Sequence, residues 1–228
     1  MIGHGPVSSG RVVSVNVGSP REIEWRGSVV RTSIYKSPAA GAVRVGRLNL
    51  AGDQQSDLSV HGGVHKAAYA YPSEHYAWWR LELDNPDLDL GAFGENLTVS
   101  GLTETAVRIG DRFQVGTAEL QVTQPRLPCY KLGIRFGRPD MEIRFLRSGR
   151  TGFYLSVVHE GELESGDAVA IVDRAEDSMT VAEIVALYGA GRPDADMVRR
   201  AGELAALPQG MREHFRRQLA GEEARAEG

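Results

Sequence analysis

The chain is poor in cysteine: Cys129 is the single thiol in 228 residues. One thiol excludes a disulfide within the chain and any all-cysteine metal or iron–sulfur site. Long apolar runs are missing as well, and no stretch approaches the roughly 18 apolar residues that a membrane-spanning helix requires. The opening residues, Met1-Ile2-Gly3-His4-Gly5-Pro6, have no apolar segment, so no signal peptide is read there. A strong excess of one charge is also lacking. Lys and Arg number 26 against 30 Asp and Glu, and a net charge of −4 does not favour general nucleic-acid binding. These absences lead to the expectation of a cytoplasmic protein with no membrane role.

What is present begins with period-two alternation. Residues 11–17 alternate and end at Gly18-Ser19-Pro20; residues 22–25 and 29–35 flank Arg26-Gly27 as a hairpin. Residues 42–48, 67–71, 112–115, 118–123, 153–158 and 168–173 read as further strands, with Gly110-Asp111 and Gly166-Asp167 as turns before two of them. Many short strands punctuated by glycine point to a closed or nearly closed β-barrel, so the fold class is mainly β with α. Ser73 is read as the cap of a helix carrying Trp78, Trp79 and Leu83, and residues 140–146 suit another short helix.

Composition shifts near Arg174, dividing the chain into a barrel domain, 1–174, and a three-helix domain, 175–228. Thr180-Val181-Ala182-Glu183 has capping-box spacing, Asp194 starts a second helix and Pro208 opens a third. The tail after Gly221 is read as frayed. Apolar stripes on three short helices need cover, from the barrel or from a second subunit, and a homodimer is the expectation.

The chemistry centres on Gln124-Pro125-Arg126-Leu127-Pro128-Cys129. The prolines stop the preceding strand and place Cys129 on a stiff loop at its end. Between residues 126 and 150 stand Arg126, Lys131, Arg135, Arg138, Arg144, Arg147 and Arg150 against Asp140 and Glu142, a local excess of +5. Positive surroundings favour the thiolate, which a nucleophile or metal ligand must be, and they attract phosphate. A buried structural cysteine is the plain alternative. His61 and His65 are four apart, yet Gly62-Gly63 between them argues against a helix and a two-histidine metal site; the glycines instead suit a turn with exposed amides. Glu95 and Asn96, at a strand entrance, read equally as a hydrogen-bonded corner or as part of a pocket.

Several ordered motifs together resemble a known family, the MOSC domain (molybdenum cofactor sulfurase C-terminal domain), in its stand-alone bacterial form with a C-terminal three-helix domain. They are Tyr35-Lys36-Ser37-Pro38, Gly52-Asp53-Gln54-Gln55-Ser56-Asp57, Val60-His61-Gly62-Gly63, Tyr71-Pro72-Ser73-Glu74-His75-Tyr76, Gly94-Glu95-Asn96-Leu97-Thr98 and the Cys129 motif. The resemblance implies molybdenum cofactor (molybdopterin), with Cys129 matching the family's cysteine as metal ligand and catalytic residue. It implies reduction of N-hydroxylated compounds, namely hydroxylaminopurines, amidoximes and hydroxylamines. Lys36 and Arg126 are the candidates for the pterin phosphate; His61, Gly62, Gly63 and Asn96 are candidates for pterin or oxo-ligand hydrogen bonds. No iron–sulfur cluster and no pyridoxal phosphate are expected, so electrons are expected from a separate flavin-type protein. Two other readings stay open: a sulfur carrier with a Cys129 persulfide, and a non-catalytic pterin-binding module.

Overall fold

The computed structural model describes residues 7–56, 62–189 and 193–226. Twelve strands and six helices follow one another along the described chain: β1 (Val7–Val17), β2 (Arg21–Trp25), β3 (Ser28–Thr32), β4 (Ser37–Pro38), β5 (Val43–Val45), β6 (Ala68–Pro72), α1 (His75–Glu82), β7 (Leu97–Ser100), β8 (Arg112–Val115), β9 (Ala118–Pro125), α2 (Tyr130–Phe136), α3 (Met141–Ser148), β10 (Phe153–His159), β11 (Gly161–Leu163), β12 (Ala168–Asp173), α4 (Val181–Gly189), α5 (Ala195–Glu203) and α6 (Gln209–Ala226). Seven of the strands close a barrel in the order β12-β8-β9-β10-β6-β7-β1, with β1 pairing back to β12. Seven is odd, so a closed ring cannot be antiparallel throughout. One parallel pair is required, and it is β6 with β7. A parallel pair needs a crossover, and residues 73–96 supply it through α1.

Alternation explains the filling. On β6, Ala68 and Ala70 join the barrel core with Leu97, Val99, Phe113, Leu120, Phe153 and Leu155. Tyr69 and Tyr71 face outward into a second core, with Tyr76, Trp79, Phe93, Leu132, Met141 and Phe145. The strand is buried on both faces, as expected for a run without polar residues. The barrel interior retains a void of only about 10 Å³. That is at the lower limit for one water and its walls are apolar, so the barrel interior has no room for a ligand and the site lies outside it.

The C-terminal helices pack on the barrel, because Val181, Ile184, Val198, Ala201 and Phe215 share a single core with the strands. The apolar stripes that suggested a homodimer are covered within the chain. Thr180 and Glu183 form the reciprocal capping box, with Glu183 N–H donating to Thr180 Oγ1 at 3.1 Å and Thr180 N–H to Glu183 Oε2 at 2.7 Å. Asp194 caps α5 through the Met197 N–H.

Three local expectations need correction. Ser73 is not the cap of α1; its N–H is held by Val99 O, and the helix starts one residue after Glu74. Strand β3 stops at Thr32 and β5 spans three residues rather than seven. Cys129 stands, as expected, on the short loop past the end of β9, where it is also the N-cap of α2. The last helix stays helical to Ala226 instead of fraying at Gly221.

Candidate functional site

Three segments converge at one end of β6 and β10. Tyr69 and Tyr154 are register partners on these strands, their rings 5.4 Å apart. The segment after β9 brings Arg126 over the Tyr69 ring, 5.3 Å from its centroid, and 5.6 Å from that of Phe145. Cys129 follows at the head of α2, half-buried. From the third side comes the single 3₁₀ turn Val64–Lys66, tied to β9 by the Thr123 hydroxyl donating to His65 O at 2.7 Å. Lys66 Nζ lies 5.7 Å from the Tyr154 ring centroid.

The result is a cleft of about 80 Å³, lined by residues that include Ser33, Lys36, Asp53, Lys66, Arg126, Cys129, Lys131 and Tyr154. Its far wall is a buried polar cluster. Asp53 accepts from Lys36 Nζ, from the Gly18 N–H at 2.9 Å and from Asn96 Nδ2 at 2.9 Å. Asn96 also accepts from the Tyr69 N–H at 3.1 Å and donates to Asn16 O, so its amide is committed to holding β1, β6 and the Asp53 loop together. Burial lowers the Lys36 pKa, only partly offset by Asp53. Burial and the neighbouring Arg126 charge lower that of Lys66, against the opposing influence of Cys129. For Arg126, burial works downward, but Tyr154, Tyr69 and Cys129 outweigh it and hold the guanidinium protonated. Arg126 Nη1 donates to the Leu127 carbonyl at 3.2 Å, and Cys129 and Tyr154 lie near enough to act on its charge.

Of the residues singled out in the sequence, Lys36, Asn96, Arg126 and Cys129 line this one cleft. Gly62 and Gly63 precede the 3₁₀ turn that carries Lys66, and Gly63 adopts φ +95°, a conformation glycine takes without strain. His61 lies outside the described residues. Glu95 proves to be the corner rather than pocket: fully buried, it accepts from the Tyr76 hydroxyl, the Gly91 and Phe93 N–H groups and the Thr98 hydroxyl. Burial raises its pKa against those bonds. Sequence reasoning missed Asp53, Lys66, Lys131, Tyr69 and Tyr154. Lys131 carried a signal as one charge in the basic run, and Asp53 as part of the motif over residues 52–57.

Comparison with known proteins fits this geometry. The MOSC domain matches residues 57–170, half of the chain. The chain belongs to the MOSC family. The YiiM-like, 3-alpha helix domain matches residues 179–222, so both parts of this MOSC protein have counterparts. An uncharacterized protein of Bacillus subtilis, YflK, is 45% identical over 170 residues, covering 75% of this chain and 76% of its own. The crystal structure of YiiM from Geobacillus stearothermophilus superposes with a TM-score of 0.78 at 36% identity, over 92% of this chain and 99% of that one. A protein of Gibberella moniliformis named reductase is 36% identical over 151 residues, 65% of this MOSC chain but 27% of its own length.

Proposed function

We propose that this MOSC protein holds molybdenum cofactor in the cleft and reduces N-hydroxylated small molecules. The observation that carries the reading is the setting of Cys129: the chain's one thiol, half-buried, in a cleft whose near end is lined by Lys66, Arg126 and Lys131. A soft thiolate suits molybdenum, and cationic walls suit the pterin phosphate and the anionic metal centre. Among the described residues no group of three or more His, Cys, Asp or Glu could hold a metal. A pterin-bound metal brings most of its ligands with it and needs one from the protein, which Cys129 can supply.

When bound, the cofactor supplies a two-electron reduction, N–OH + 2e⁻ + 2H⁺ → N–H + H₂O. The chain's own residues bind and orient. Cys129 offers the ligand sulfur from a fixed helix start. Arg126, packed against Tyr69 and Phe145, supplies a fixed positive charge near that sulfur. The aromatic core behind Tyr69 excludes water from the back of the site. A separate flavin-type protein is the electron donor in this reading, since one cysteine cannot build an iron–sulfur centre.

The test is reduction of benzamidoxime or a hydroxylaminopurine by protein from a cofactor-competent host, with a supplied electron donor. Turnover that disappears in Cys129→Ser supports the reading. A trapped persulfide on Cys129, with neither pterin nor turnover, replaces it with sulfur transfer.

A further inference from the structure

The described walls of the cleft carry more cationic than anionic side chains. Among the described lining residues Asp53 is the one carboxylate, and Lys36 and Asn96 consume it. Arg126 is stacked on two rings and donates to the Leu127 carbonyl at 3.2 Å. Lys131 differs from both. It is 7% exposed, and its ammonium meets a neutral partner, the Ser56 hydroxyl at 3.1 Å. None of the ion pairs among the described residues includes it. An ammonium has three N–H donors, and Ser56 takes one. Burying such a group is costly unless an anion meets it. The structure keeps Lys131 buried at the wall of an open cleft, in the first turn of the helix that begins at Cys129.

We propose that Lys131 is an anion-binding residue of the cleft that Cys129 also lines, and takes a phosphate group of the ligand. This deepens the function proposed above by naming a residue that meets the ligand's charge. It adds Lys131 to Lys36 and Arg126 as a phosphate contact, and of these three only Lys36 is already ion-paired, with Asp53. The phosphate can belong to the pterin cofactor or to an N-hydroxylated nucleotide substrate.

The experiment begins with full-length protein from a host that makes no cofactor, with inorganic phosphate as probe and chloride at equal ionic strength as control. In the wild type, phosphate is expected to raise the thermal midpoint and slow iodoacetamide alkylation of Cys129 several-fold. In Lys131→Met the midpoint in chloride is expected to be equal or higher, because an uncompensated buried charge is gone, and both phosphate effects are expected to vanish. Lys131→Gln, which can still bond Ser56, serves if the methionine variant does not fold. Equal phosphate effects in wild type and variant, or none in the wild type, overturn the proposal. Two further arms identify the source in cofactor-loaded protein. Loss of pterin from Lys131→Met on desalting assigns the phosphate to the cofactor. Retained pterin, with lost preference for an N-hydroxylated nucleotide over its nucleoside, assigns it to the substrate; neither change overturns the assignment to a ligand. Wild type that carries no pterin but keeps its phosphate shift removes the molybdenum reading and leaves the anion site standing.

Discussion

Asn96 donates its side-chain amide to Asp53 across 2.9 Å, joining the entrance of β7 to a loop 43 residues earlier in the chain. Through that bond, and the ion pair Asp53 makes with Lys36, the far wall of the cleft is one buried unit.

The ion pair gives a first prediction. Lys36 and Asp53 side chains are 7% and 2% exposed, so Asp53→Asn leaves an ammonium buried without its counter-charge. Removing one partner of such a pair costs about 3–5 kcal/mol. Urea unfolding is expected to show a loss of that size, and Asp53→Asn with Lys36→Met is expected to recover most of it. A double variant as unstable as the single one contradicts the account.

The buried Tyr69, Tyr71 and Tyr76 and the partly buried Tyr154 have pKa values raised above the ordinary 10.0, with desolvation as the largest cause in each. A raised folded pKa means that the stability it contributes is complete below pH 10 and is lost as pH rises beyond it. Each such group removes about 1.4 kcal/mol per pH unit above 10. Lys36 and Lys66, with folded values below 10.5, act in the opposite sense, and only in the window just under 10.5. Unfolding free energy is therefore expected to fall steeply between pH 10.5 and 12, less so by one proton's worth in Tyr154→Phe. A flat alkaline limb contradicts it.

Gly152 adopts φ +65°, and a Cβ there would collide with the Ala70 carbonyl oxygen and lie 2.9 Å from the Tyr69 ring. Gly152→Ala is expected to cost more than about 2 kcal/mol, because backbone strain adds to overpacking. It should also disturb the cleft, since Tyr69 lines it. Thr180→Ala provides the contrast: losing the capping box costs about 1 kcal/mol and leaves ligand binding unchanged. Thermal midpoints and phosphate shifts measured on both variants check the pair.

The sequence disclosed most where local pattern and burial agree. Alanine and tyrosine alternate along β6 without a polar residue, and the strand is buried on both faces. The Thr180–Glu183 box and the Arg26-Gly27 turn were legible for the same reason, as both are settled within four residues. Helix α2 was not, because Gly133 at its centre lowers helix propensity. It forms because Leu132 and Ile134 are buried and the Arg138 carbonyl approaches within 3.1 Å of where a Cβ would stand. Asp53 was hidden in a different way. Gly52-Asp53 stood in a motif of the resemblance with no role assigned to Asp53, and the partners of Asp53 come from Gly18, Lys36 and Asn96, separations no local pattern encodes.

The function proposed above makes Cys129 the protein's bond to a pterin-borne metal. Serine is a favourable helix N-cap, so Cys129→Ser should keep the fold and remove only the sulfur. Molybdenum and pterin are to be quantified in both proteins purified from a cofactor-competent host. The account predicts near-stoichiometric metal and pterin in the wild type and a large loss of molybdenum in Cys129→Ser at unchanged thermal midpoint. Equal molybdenum in the two proteins, or none in the wild type, contradicts it.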